Sequence, residues 1–99
     1  LNAVEIRLRK DEEFHNCIFE ASGNTRLISM MNSIWETVYR FRLKYMSDYA
    51  SAVNIVEEHN RLIEAIKKGK ADLAESLAKE HIEKAEQFMI EELMQDETV

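Results

Sequence analysis

Across its 99 residues the chain has no proline and only two glycines, Gly23 and Gly69. Proline and glycine are the residues that most strongly interrupt a helix. The chain is therefore free to be helical almost throughout, and two of its turns are expected at these glycines. Hydrophobic residues make up 45% and charged residues 32%, the balance of helices with one buried and one wet face. No apolar run approaches the roughly 20 residues of a membrane span, and no signal peptide opens the chain, so a cytoplasmic location is expected. The single cysteine, Cys17, has no internal disulfide partner, in keeping with a reducing compartment, and reads as a small buried residue. A net charge of −6 argues against a grip on nucleic acid, which needs clustered Lys and Arg. Because it starts at Leu1 and enters a charged helical pattern at once, the chain is expected to be a piece of something longer, a single domain over 1–99.

Apolar periodicity predicts four helices forming an antiparallel bundle. The first spans about 3–22, with Val4, Leu8, Asp11, His15 and Ile18 on one stripe and Phe14 and Ala21 beside it. Gly23 suits a left-handed C-terminal cap, and Asn24 an N-cap. The second helix spans about 25–45 and aligns Leu27, Met31, Ile34, Val38, Phe41 and Tyr45, widened by Met30 and Trp35. Ser47 or Asp48 caps a third helix running to Lys68, with Ala52, Val56, His59, Ile63 and Ile66 in register. After Gly69 the fourth, about 71–94, aligns Leu73, Leu77, His81, Ala85 and Phe88.

Three of these apolar stripes are interrupted by a side chain suited to bind metal. Asp11 and His15 are four residues apart, hence one helical turn apart on the same face. His59 lies ten residues before Gly69 and His81 twelve after it, so a hairpin closed at Gly69 brings the two imidazoles level. Burying such groups without partners costs a few kcal/mol each. Asp11, His15, His59 and His81 therefore form either a buried polar network or a divalent-metal site at the bundle centre. Three nitrogens and one oxygen suit Zn²⁺, Ni²⁺, Cu²⁺, Fe²⁺ or Mn²⁺ better than Ca²⁺ or Mg²⁺; the donor set does not choose among these five, and zinc or nickel is the ion expected on availability.

Several motifs together carry a family resemblance. Asp11-Glu12-Glu13-Phe14-His15, Ala21-Ser22-Gly23-Asn24, Glu58-His59, Ala65-Ile66-Lys67-Lys68-Gly69-Lys70-Ala71-Asp72 and His81 resemble the effector-binding FCD domain of FadR-subfamily GntR transcriptional regulators. The resemblance implies that Asp11, His15, His59 and His81 hold a divalent metal inside an antiparallel helical bundle. It also implies that the metal, or the cavity around it, senses small organic acids. The family pattern departs at Lys70 and Ala71, where an Asp usually follows the glycine directly; here Asp72 comes later. Family members also carry an N-terminal winged helix-turn-helix and two further sensor helices, which this sequence does not supply. DNA binding is accordingly expected of the parent protein only, acting as a homodimer.

A carboxylate effector is expected to bind the ion at positions the protein leaves open. Arg40 or Arg42 is the candidate clamp for a second anionic group, with Asn60 a further candidate contact. Catalysis is not expected. Neither His-Glu-x-x-His nor His-x-x-Glu-His occurs, and Glu-x-x-His occurs once, at Glu12 to His15, where a di-iron bundle needs two. The rival reading is a metal-free helical dimerisation or interaction module, drawing on Met30, Met31, Trp35, Tyr39 and Phe41.

Overall fold

In a computed structural model describing residues 2–97, the chain forms five helices: α1 (Ala3–Ser22), α2 (Thr25–Thr37), α3 (Tyr39–Ser47), α4 (Tyr49–Lys67) and α5 (Ala71–Glu97). The starts follow from capping side chains, which accept N–H groups that the first turn leaves unpaired. Asn2 Oδ1 accepts from the Glu5 amide at 2.9 Å, Asn24 Oδ1 from the Leu27 amide at 3.1 Å, and Asp48 Oδ1 from the Ala50 amide at 3.1 Å. Of the two residues expected to cap α4, Asp48 does so.

Both glycines end helices in the left-handed region, with φ of 69° at Gly23 and 68° at Gly69. At Gly69 the closure is complete: its amide donates to the Ile66 carbonyl at 3.0 Å, and the Lys70 amide donates to the Ala65 carbonyl at 2.9 Å. This pair of bonds is a Schellman cap. A Cβ built at Gly69 meets nothing within 4 Å, so substitution acts through backbone strain alone. Gly69→Ala is expected to cost about 1 kcal/mol, read as a lower thermal midpoint with unchanged helical content.

The expected second helix is two. A break at Val38 (φ −97°, ψ 4°) separates α2 from α3. It is a bend rather than a loop, because the Val38 amide still reaches the Ile34 carbonyl at 3.0 Å and the Arg42 amide the Val38 carbonyl at 3.0 Å. The hydroxyls of Ser33 and Thr37 donate to the carbonyls of Ser29 and Ser33, at 3.5 and 3.3 Å. Such back-bonding by Ser and Thr bends helices, and no apolar periodicity reveals it.

The chain divides into two compact units, Leu1–Ser47 and Asp48–Val99. In the first, α1 packs against α2 and α3, and Arg7 Nη1 donates to the Met46 carbonyl at 3.1 Å. Leu8 and Met46 are buried there. Cys17, expected to be buried, is instead exposed on α1. Its neighbours in sequence, Asn16 and Ile18, are the ones that turn partly inward.

The second unit is an antiparallel hairpin of α4 and α5. Its buried face on α4 is Ala52, Ile55, Glu58, Leu62 and Ala65, not the expected stripe through Val56, Ile63 and Ile66. Those three are exposed. Both stripes are apolar at helical spacing, and His59 sits on the boundary they share. On α5, Leu77, His81, Ala85 and Phe88 face inward in part, whereas Leu73 is exposed. Among the described residues no helix is long and apolar enough to cross a membrane.

Candidate metal centre

In the first unit, α1 sets Asp11 and His15 one turn apart, and His15 Nε2 lies 3.3 Å from Asp11 Oδ1. Asp11 is buried. Its second oxygen, Oδ2, accepts from Arg42 Nη2 at 2.9 Å. Arg42 reaches over from α3 and is fully engaged along one edge: Nη1 donates to Glu12 Oε1 at 2.7 Å and Nη2 also to the Leu8 carbonyl at 3.3 Å. The guanidinium lies 4.5 Å from the centre of the Trp35 ring, a cation–π contact. Trp35 is held in turn by its Nε1–H, which donates to Asn16 Oδ1 at 3.2 Å.

Burial works against the Asp11 charge, but the hydrogen bond and charge of His15, followed by those of Arg42, outweigh it and hold the carboxyl below its ordinary value. The Asp11 carboxylate is thus kept ionised, with Oδ2 anchored and Oδ1 beside an imidazole nitrogen. Aromatic rings fix the orientation of His15, with centroids at 5.2 Å for Phe14, 5.9 Å for Trp35 and 6.4 Å for Phe19.

In the second unit the hairpin registry brings the other two histidines together. His59 Nε2 and His81 Nε2 are 3.4 Å apart, and their rings meet edge to face with centroids at 4.9 Å. The far side of the His81 ring is anchored: Nδ1 lies 2.7 Å from Glu58 Oε1. Glu58 Oε2 accepts from Lys84 Nζ at 3.2 Å. Each unit thus presents two donor atoms side by side, with the opposite edge of a donor-bearing group held by a charged neighbour.

Two ligands on one ion with bonds of about 2.0–2.1 Å stand roughly 3.3 Å apart at a tetrahedral angle and about 2.9 Å apart at a right angle. The two pair distances, 3.3 Å for Asp11–His15 and 3.4 Å for His59–His81, match the tetrahedral edge. The donor set of imidazole nitrogen and carboxylate oxygen fits a divalent transition metal.

The model of the FCD domain family matches residues 2–84. The chain belongs to the FCD family. The match takes in α1 to α4 and the first half of α5, and with them Asp11, His15, His59 and His81. An FCD domain is the regulatory, effector-binding domain of GntR-family transcription regulators, and FCD is not an enzyme family. No curated protein and no solved structure matches the chain.

Within this FCD domain the three candidate effector contacts differ in placement. Arg42 makes the three hydrogen bonds described above. Arg40 is exposed on α3. Asn60 is exposed on α4 and lines an open groove of about 360 Å³ beside the α4–α5 turn, together with Arg61, Lys68 and Leu77. The residue that sequence reading missed is Glu58. It is acidic yet shares the helical face of Ile55, Leu62 and Ala65, and a charge on an otherwise apolar stripe is the signal that marks it.

Proposed function

We propose that this domain is a metal-dependent sensor of small carboxylates in a GntR-type regulator, with Asp11, His15, His59 and His81 as the ligands of one divalent ion, zinc or nickel. The observation that carries the reading is the pair of donor edges, 3.3 Å in the first unit and 3.4 Å in the second. Both are compatible with two ligands on one small ion at a tetrahedral angle. When bound, the ion would supply a Lewis-acid position for an effector carboxylate by accepting one more ligand beyond the four protein donors.

The protein's own residues prepare that position. Arg42 holds Asp11 Oδ2 and leaves Oδ1 next to His15 Nε2. The aromatic rings around His15 hold its imidazole plane. Arg40 and Asn60, both exposed, are the side chains we assign to the rest of the effector. The readout follows if occupancy favours one arrangement of the helices over another and so alters the separation of DNA-binding domains in a homodimer.

The test uses cobalt as a spectroscopic stand-in for zinc. The purified chain is expected to take up about one ion per chain, and small di- and tricarboxylates are expected to change the cobalt visible absorption in a saturable way. A chain that takes up no ion from zinc, nickel or cobalt overturns the reading.

One observation favours the rival, a metal-free interaction module. Val53, Val56, Ile63 and Ile66 leave an apolar stripe on α4 that is 37–58% exposed, the kind of surface that binds a partner. Chelation separates the two readings: an interaction module keeps its thermal midpoint in chelator, and a metal sensor loses part of it.

A further inference from the structure

We infer that Glu58 is a positioning residue for the metal centre: by accepting the Nδ1 proton of His81 it selects the tautomer whose Nε2 lone pair faces His59. The inference rests on the metal reading proposed above.

Neutral imidazole carries one proton, on either nitrogen, and only the other nitrogen has a lone pair to give. An ionised carboxylate can only accept hydrogen bonds. Glu58 Oε1 lies 2.7 Å from His81 Nδ1, in the range of a charge-assisted bond. With the proton held there, Nε2 of His81 is an acceptor or ligand, and it is this atom that stands 3.4 Å from His59 Nε2. The opposite tautomer places a proton where the ion would sit and leaves two acceptors facing each other at Glu58.

The environment makes this selection firm. The side chains of Glu58 and His81 are 8% and 11% exposed, so water does not readily take over the role of acceptor. Lys84 Nζ donates to the other carboxylate oxygen at 3.2 Å and keeps Oε1 directed at the ring. Glu58 and Lys84 approach from two helices, so the orientation of the His81 ring is set by the hairpin as a whole. A carboxylate hydrogen-bonded to the outer nitrogen of a ligating histidine fixes its tautomer and raises its basicity, and loss of such a partner typically costs 10- to 100-fold in metal affinity.

The test combines nitrogen NMR of the histidine rings with zinc affinity, in the parent chain, Glu58→Gln and Glu58→Leu, with helical content as a check on folding. In the metal-free parent at mildly alkaline pH, His81 is expected as the Nδ1–H tautomer. Glu58→Leu is expected to lose that bias and to bind zinc roughly 10- to 100-fold more weakly. Glu58→Gln, whose carbonyl oxygen still accepts, is expected to keep the tautomer and recover most of the affinity. A purely structural role predicts no tautomer change in Glu58→Leu. A parent with His81 protonated on Nε2, or a Glu58→Leu chain that binds zinc like the parent, overturns the role of Glu58 while leaving the metal reading intact. A parent that keeps the Nδ1–H tautomer but takes up no zinc overturns the metal reading and this role with it.

Discussion

Replacing His59 and His81 together by alanine is expected to abolish metal uptake, from about one ion per chain to none, and with it all thermal stabilisation by added zinc. The two imidazoles present their Nε2 atoms to each other at 3.4 Å, so the double variant removes one complete donor edge. What remains, Asp11 and His15, is a single pair of donors four residues apart on one helix. A ligand that binds only the folded state stabilises it by about 2.7 kcal/mol at one hundred times its dissociation constant. The parent is therefore expected to lose that increment in chelator and regain it with zinc, while the double variant melts at one temperature under both conditions. Metal content by plasma mass spectrometry and melting by circular dichroism supply the two readouts. A double variant that retains a stoichiometric ion shows that the histidine pair is not the centre.

The helical class and most boundaries were legible in the sequence because they depend on local signals. Two glycines, the capping side chains of Asn24 and Asp48 and the apolar spacing are all signals of near neighbours in sequence. The meeting of His59 and His81 was legible too, since the Gly69 cap fixes the hairpin register. The break at Val38 was not, because no glycine or proline marks it, and the hydroxyl back-bonds of Ser33 and Thr37 that accompany it leave no trace in apolar spacing. The rotation of α4 was hidden for a different reason. The helix is apolar over two adjacent stripes, and periodicity alone cannot say which one α5 covers. Choosing Val56, Ile63 and Ile66 puts Glu58 in solvent, whereas the stripe that α5 does cover buries Glu58 beside His81. The same ambiguity hid the part played by Arg42. Its alternation with Arg40 and Lys44 reads as a solvated face, but the bend between α2 and α3 accompanies a packing in which Arg42 turns onto α1.

Replacing Arg42 by methionine is expected to destabilise the metal-free protein by about 3 kcal/mol, the low end of the cost of removing one partner from a buried ion pair. The side chains of Arg42 and Asp11 are 11% and 10% exposed, so solvent does little to screen the loss. Methionine keeps an apolar stem near Trp35 and isolates the missing charge from the missing packing. His15 still hydrogen-bonds Asp11, which is why the low end applies. Arg42→Lys is expected to lose about half as much, because an ammonium cannot bridge Asp11 and Glu12 with the fixed fork of a guanidinium. The pH dependence separates this electrostatic origin from a packing defect. The folded-state value of Asp11 is depressed, so its contribution is fully present above the unfolded carboxyl value of about 4 and is lost as pH falls through the lower folded value. Removing Arg42 moves the folded value back toward the unfolded one. Urea midpoints of parent and Arg42→Met are thus expected to differ most near neutral pH and to converge in acid; a gap that stays constant down to about pH 2 assigns the loss to packing over Trp35 instead.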